Sequence, residues 1–382
     1  MTVAWNSVRL RGMSDAHPPT YWDYLKVPDL LNLQGGLEGD TDALLNDELH
    51  FIIVHQVFEL WFKLTIRELR LARDHLAAPH VPEQHIPHVV QHLRRVNTIL
   101  RLCGQQFEVM ETLSPQDFLA FRDKLIPASG FQSYQMRELE ILMGLLENQR
   151  VESGFGNPLE AIRRMGKGTP TGEIAIGHLE RAQSEDSLRR AMQNWLYRTP
   201  IQGSTPEQPG DDDAVLAFIA EYLSAMGARA KVQREQLIAS GVITAEFADE
   251  KFAKSAEQSR HFLMAEDVAD ESERPRARRI RAAILFIESY RELPLLAWPR
   301  VLLDTIVETE AMLVIFRSRH ARMVERVIGR RMGTGGSSGV DYLDKTTAYR
   351  IFTDLWSVRT LLLPKEALPP MDFGDTYGFA DS

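Results

Sequence analysis

The chain has 382 residues, a formal charge of −9, and hydrophobic and charged fractions of 44 % and 25 %. This composition is that of an ordinary globular protein, and the acidic balance argues against a nucleic-acid partner for the chain as a whole. A lone cysteine, Cys103, excludes a disulfide or a cysteine-based metal site within one chain. The first residues lack the apolar core of a signal peptide, and no 18-residue window is both apolar and uncharged. We therefore expect a cytoplasmic protein that does not span a membrane, folded as a single domain over 1–382.

Helical periodicity dominates the first part of the chain. Phe51, Val54, Phe58 and Phe62 recur at the spacing of one helix face. Ser114 and Pro115 are typical of an N-cap and a first helical position. The helices predicted here cover about 47–76, 87–110, 113–125 and 129–146.

The middle of the chain, 152–275, is predicted to be a less regular helical insertion. "RRMGKGTPTGEIAIGH" and "TPIQGSTPEQPGDDDA" are rich in Gly, Pro and Thr and bracket one helical piece, about 178–197. The helices predicted after that piece cover about 212–240, 243–264, 272–291, 294–331, closed by Gly333, and 342–356. Because alternating strand patterns are nearly absent, the predicted fold class is all-α.

The stretch "RMGTGGSSGVDYL", 331–343, is the one conspicuously glycine-rich loop near the end of the chain. It is not a phosphate-binding loop of the usual kind, because no Lys follows its second glycine and a helix precedes it. It can still bring backbone N–H groups and hydroxyls close to a ligand, since glycine permits close approach. The alternative is a flexible connector between two helices.

Three histidines, His85, His88 and His92, share a helix at i, i+3 and i+7. That spacing could bind a metal. No carboxylate or cysteine nearby in the sequence completes the set, so the pattern favours a solvated helix face.

Two other histidines lie on apolar helix faces. His55 is in the aromatic stripe of the first long helix, and His320 shares a face with Phe316 and Met323. A neutral imidazole on such a face is what a haem iron accepts as an axial ligand, and the arginines around His320 could pair with haem propionates. The simpler interpretation is a buried, hydrogen-bonded histidine. Arg122, beside Phe118 and Phe121, suits recognition of a carboxylate, or a structural ion pair with Asp123 or Glu138.

Four stretches resemble the tryptophan 2,3-dioxygenase family in order. They are "TYWDYLKVPDLLNLQ", "NDELHFIIVHQVFELWFKLTIREL", "METLSPQDFLAFRDKLIPASGFQSYQMRELE" and "FRSRHARMVERVIGRRMGTGGSSGVDYL". The continuation "YRIFTDLWSVRTLLLP" is similar to the family's C-terminal helix. Together they cover about 140 to 160 residues near the two ends of the chain.

The resemblance implies an all-α, haem-binding helical bundle that carries haem b, uses O2 and assembles as a homotetramer. It makes His320 the axial ligand of the haem iron and His55 the distal histidine that contacts the indole N–H. The same resemblance assigns further residues to substrate binding. Phe51 and Leu125 are walls of the indole pocket, Arg122 binds the carboxylate, Thr334 lies near the ammonium, and Tyr21 and Tyr24 border the pocket.

The expected activity is insertion of O2 across the indole C2–C3 bond of L-tryptophan or a substituted tryptophan, giving an N-formylkynurenine-type product. One alternative is a related monooxygenase that forms an oxindole or hydroxyindole. Another is a haem sensor without turnover, and a third is a helical scaffold without a cofactor. The glycine-rich loop is expected to become ordered over the substrate.

The chain departs from the family pattern at three places. Asn46 stands where the family commonly has His, and Phe316-Arg317-Ser318-Arg319 precede His320 where the family usually has Trp-Arg-Phe-Arg. The middle, about 150–310, shows little resemblance and is longer than in bacterial relatives. These departures leave the substrate and the number of inserted oxygen atoms open.

Overall fold

A computed structural model describes residues 18–152, 156–334, 339–371 and 377, and in these residues the chain is helical without a β-strand. The all-α prediction is confirmed. The helices are α1 Tyr21–Leu25, α2 Val27–Leu31, α3 Asn46–Ala77, α4 Ile86–Met110, α5 Pro115–Phe121, α6 Tyr134–Met143, α7 Pro158–Gly166, α8 Pro170–Ser184, α9 Leu188–Arg198, α10 Asp211–Ala239, α11 Ala245–Leu263, α12 Arg274–Ser289, α13 Ala297–Ile328, α14 Val340–Thr346 and α15 Thr353–Arg359.

The centre of the fold is a packed group of three long helices, with α13 against α4 and α4 against α3. Leu93, Val96 and Leu100 of α4 are buried between the other two helices. Their spacing follows the apolar stripe of a helix. Helices α6 and α9 pack on α3, and α12 packs against both α9 and α10. Residues from the N-terminal and C-terminal parts of the chain therefore form one large apolar core, which fixes the positions of α3 and α13.

Helix α3 is, among the described residues, the one helix long and apolar enough by composition to cross a membrane. It contributes eleven buried residues to the fold, and these include charged ones. Glu68 pairs with Arg95 of α4, and Arg73 pairs with Glu185. Buried charges that are satisfied by ion pairs to neighbouring elements are typical of a core helix.

The prediction of one continuous helix over 342–356 is wrong, because the structure has two helices there, α14 and α15. The cause is Glu310, a buried carboxylate on α13. It accepts hydrogen bonds from the backbone N–H groups of Ile351 and Phe352 and from the indole N–H of Trp356. The backbone between the two helices therefore bonds to a side chain from a distant helix, which local sequence does not show.

Other boundaries also differ from the sequence prediction, and the helix predicted over 129–146 is α6, Tyr134–Met143. The piece predicted over 178–197 is α8 and α9, separated where Ser187 caps α9 by accepting from the Arg190 N–H at 3.2 Å. Helix α13 ends at Ile328 rather than near Gly333, because Gly329 adopts a left-handed φ of 61°. The prediction of one domain over 1–382 with a helical insertion at 152–275 stays a prediction. In that range the described residues contain five complete helices, α7 to α11.

Candidate active site

An apolar cavity lies among α3, α4, α13 and the segments that follow α5 and α13. Its walls are formed by the aromatic and aliphatic residues that the long helices turn inward. They include Phe58, Phe62, Phe107, Met110, Phe316, Met323, Val324 and Val327. A small number of polar groups interrupt this surface, as in most sites for organic ligands.

His320 faces the cavity from α13. Its ring lies parallel to that of Phe107, with centroids 5.4 Å apart and planes 5° apart. Burial lowers the pKa of His320 to about 4, with smaller contributions from His55 and Arg137. The imidazole is therefore neutral at neutral pH. It makes no hydrogen bond with another residue in the described part of the chain. A neutral imidazole without a competing partner is suited to bind a metal ion.

His55 faces the same cavity from α3. Its Nδ1 lies 2.7 Å from the carbonyl oxygen of Phe51, and the two rings lie 4.0 Å apart. Because a carbonyl can only accept, Nδ1 carries the proton. Burial lowers the pKa of His55, so the ring is neutral and its Nε2 is a hydrogen-bond acceptor. It can receive an N–H from a ligand in the cavity.

Arg122 and Thr334 line the cavity where two loops meet. Arg122 Nη2 donates to the Met332 carbonyl at 2.5 Å, and Thr334 Oγ1 donates to the Ala128 carbonyl at 2.6 Å. The Arg122 Nε is buried without a hydrogen-bond partner in the described part of the chain. Because the Thr334 hydroxyl donates its proton to the Ala128 carbonyl, its oxygen can only accept a hydrogen bond from a ligand. The pair thus offers a donor for an anion beside an acceptor for a cation.

A buried charge cluster borders the cavity on the side of α6. Glu140 lies 3.0 Å from Arg137, 2.6 Å from Arg150 and 2.7 Å from Arg317. Burial alone would raise the pKa of Glu140, but the three arginines lower it to about 2. Among the described residues, these three buried arginines share one buried carboxylate, which leaves two positive charges without an ion-pair partner, and Arg137 Nε has no hydrogen-bond partner there. Such a site is expected to attract anionic groups.

The structure brings five sequence-predicted residues to one cavity. Phe51, His55, Arg122, His320 and Thr334 all line it.

Three other predicted residues do not line this cavity. Leu125 packs against the main core. Tyr21 and Tyr24, on α1, are 73 % and 80 % exposed. Their substrate-binding roles stay predictions. The centre of the glycine-rich loop, 335–338, lies outside the described residues. The expectation that the loop becomes ordered over the substrate therefore stays a prediction.

Sequence reasoning missed the Glu140 cluster. Arg137 and Glu140 form an i, i+3 pair in "QMRELE", which is a detectable local signal. Their third and fourth partners are far away in sequence and give no such signal. The alternative for Arg122, an ion pair with Asp123 or Glu138, is not among the ion pairs of the described residues, and Glu138 pairs with Arg70 at 2.9 Å.

The fold and the site define a class: an all-helical protein whose apolar cavity carries two neutral histidines and an arginine whose buried Nε has no hydrogen-bond partner in the described chain. The profile of the tryptophan 2,3-dioxygenase family matches residues 10–362. The chain belongs to this family.

Similar proteins from bacteria agree with this assignment. The chain is 46 % identical over 369 residues to tryptophan 2,3-dioxygenase 2 of Ralstonia nicotianae, which covers 95 % of this chain and 98 % of the relative. It is 46 % identical over 366 residues to tryptophan 2,3-dioxygenase of Sorangium cellulosum, covering 94 % and 87 %. A tryptophan 2,3-dioxygenase-like protein of Xanthomonas campestris is 47 % identical over 271 residues, covering 70 % of this chain and 98 % of the relative.

Proposed function

We propose that the chain is a haem-dependent dioxygenase that opens the indole ring of L-tryptophan or a substituted tryptophan to an N-formylkynurenine-type product. The observation that carries the proposal is the cavity itself. It combines a neutral histidine that makes no hydrogen bond with another described residue, a second histidine whose Nε2 can accept, and a buried arginine Nε without a partner in the described chain. The family names of the relatives point to the same activity.

The residues around the cavity fit haem b. His320 would supply a neutral imidazole to the haem iron, and Phe107, whose ring is parallel to that of His320, is part of an apolar wall suited to a macrocycle. Two uncompensated positive charges beside Glu140 match the two carboxylates of haem. Arg137 and Arg317, which line the cavity, are the residues that would pair with them. When bound, haem would supply the iron that activates O2.

The protein's own part in the reaction is to bind and orient the amino acid. Arg122 would bind the substrate carboxylate through its fork of N–H groups, and Thr334 would accept from the ammonium. His55 Nε2 would accept from the indole N–H and thereby fix the plane of the ring. Phe51 would form part of the indole pocket. Such positioning lowers a barrier by up to about 7 kcal/mol. His55 is not required to act as a general base in this scheme.

The proposal includes a cytoplasmic homotetramer. Large apolar side chains near the N-terminal end of the described chain support subunit association. Tyr21, Tyr24 and Leu37 are 73 %, 80 % and 83 % exposed, which is costly in an isolated subunit. The segment is held to α3 through Gln34 Nε2, which donates to Gln56 Oε1 at 2.6 Å. The segment therefore has a defined position from which it could reach a neighbour.

The test is turnover of L-tryptophan under 18O2 with mass analysis of the product. Two labelled atoms in an N-formylkynurenine-type product are expected. One labelled atom with a demand for external reductant would replace the proposal by a monooxygenase. A haem-loaded protein that yields no product from tryptophan or substituted tryptophans would replace it by a haem sensor. His320→Ala is the control, because it should lose both the Soret band and activity.

A further inference from the structure

Four histidines meet where α3 ends and α4 begins. The ring of His75, in the last turn of α3, lies 5.3 Å from that of His85, 6.1 Å from that of His88 and 6.0 Å from that of His92, measured between centroids. The sequence favoured a solvated face for the last three. The structure packs them around His75, and three of the four rings are half-buried. None lines the cavity of His320.

We propose that His75, His88 and His92 form a binding site for a divalent transition-metal ion such as Zn²⁺. His88 and His92 are four residues apart, so they lie on the same face of α4. His75 adds an imidazole from a second helix. Three imidazoles are a donor set that Zn²⁺, Ni²⁺ and Cu²⁺ accept. His85, whose ring lies 6.5 Å from that of His88, is available as a fourth ligand.

Glu68 orients one of these ligands. Its Oε2 lies 2.7 Å from Nδ1 of His92, and its Oε1 accepts from Arg95 at 2.7 Å. Because the carboxylate accepts, Nδ1 of His92 carries a proton, and Nε2 is the nitrogen that remains to bind a metal. A carboxylate behind a histidine in this way fixes the ring orientation in metal sites. Glu68 is 4 % exposed, so its position is set by the core.

The site is open in the structure and closes by rotation of side chains. In the described part of the chain, no three His, Cys, Asp or Glu side chains are already arranged around one point as metal ligands. Zn–N distances of about 2.0 to 2.1 Å at tetrahedral angles place the centroids of ligating rings about 5 Å apart. The rings of His88 and His92 thus need to approach that of His75 by about 1 Å. His88 is exposed and His75 is half-buried, so both have room to turn.

The experiment is calorimetric titration of the full-length, haem-loaded protein with ZnCl2 near neutral pH, after removal of adventitious metal by a chelator. We expect one zinc ion per chain and a rise in Tm. His75→Ala and His88→Ala should each weaken binding at least about tenfold. Glu68→Gln should weaken it about 10- to 100-fold, because it changes the orientation of a ligand and not the ligand itself.

His80→Ala is the matched control, because His80 lies in the same connection, is exposed, and makes none of these ring contacts. It should bind zinc like the parent. His88→Ala removes an exposed side chain, so its Tm without zinc should equal that of the parent. Zinc titrations that are the same for the parent, His75→Ala and His88→Ala would overturn the proposal, as would a parent that binds no zinc. Either result is independent of haem and of turnover.

Discussion

The Arg122 side chain is already held in position by the protein itself, with one donor left for a ligand. One guanidinium nitrogen holds the Met332 carbonyl, which fixes the side chain, while the buried Nε has no partner in the described chain. A buried donor without an acceptor costs about 1 to 3 kcal/mol. A substrate carboxylate that accepts from it recovers this free energy on binding. Arg122 therefore links stability of the empty site to affinity for an anion.

Replacing Arg122 by lysine tests this role. Arg122→Lys keeps the positive charge but loses the planar fork, so we expect kcat/KM for L-tryptophan to fall by about 10- to 100-fold, mainly through KM. This corresponds to the loss of charged hydrogen bonds of about 1.5 to 3 kcal/mol. Steady-state kinetics are the measurement. Arg319→Lys is the control, because Arg319 pairs with Glu108 outside the cavity lining. An unchanged KM in Arg122→Lys would assign carboxylate binding elsewhere.

Residues of the site differ in how far they could be predicted. His55, His320 and Arg122 stand out because a polar group on an apolar face needs a reason to be there. The partnership of Glu140 with Arg317 spans 177 positions, and nothing in either local pattern indicates it. The same holds for His75, whose position beside His92 depends on how α3 packs on α4. Long-range pairing of this kind is a property of the packed fold.

At the scale of elements, the long helices were predictable and their ends less so. Apolar spacing specified α3 and α4 to within one residue of the observed bounds. The division between α14 and α15 depends on Glu310, which takes N–H groups that a continuous helix would use. Helix ends are decided by such competition for backbone groups. Periodicity alone therefore predicts where a helix exists better than where it stops.

The segment that leads from the glycine-rich loop into α14 depends on one glycine. Gly339 has a φ of 57°, and a Cβ built on it would lie 2.8 Å from the Arg331 carbonyl oxygen. Gly339→Ala is therefore expected to cost about 1 to 3 kcal/mol of the free energy of unfolding. It should also raise KM, since Thr334 belongs to the same connection. Urea unfolding and steady-state kinetics are the measurements.

Gly177→Ala is the control for this substitution. Gly177 lies inside α8, and a Cβ there would meet nothing within 4 Å. Alanine in a helix interior is expected to stabilise the protein by up to about 1 kcal/mol relative to glycine. Equal effects of the two substitutions would show that the backbone at Gly339 is not strained by a side chain.

At the scale of the whole molecule, neutral histidines and one buried carboxylate make stability depend on pH over two ranges. His320 has a pKa of about 4 in the folded protein against an ordinary value of 6.5. Between these values the unfolded chain binds the extra proton, so stability falls as pH drops from about 6.5 towards 4. Glu140, with a pKa of about 2 against 4.5, gives stability that is lost as pH falls from about 4.5 to 2.

The upper range can be isolated on haem-free protein, where iron does not compete for His320. A shift of this size corresponds to about 3 kcal/mol of unfolding free energy between neutral pH and pH about 4. Urea unfolding at several pH values should show this loss in the parent and a clearly smaller one in His320→Leu, which cannot titrate. His55 and His75 are expected to contribute to the loss that persists in the variant, because burial lowers the pKa of both in the same direction. Parallel pH profiles for parent and variant would mean that His320 is protonated in the folded haem-free protein as readily as in the unfolded chain.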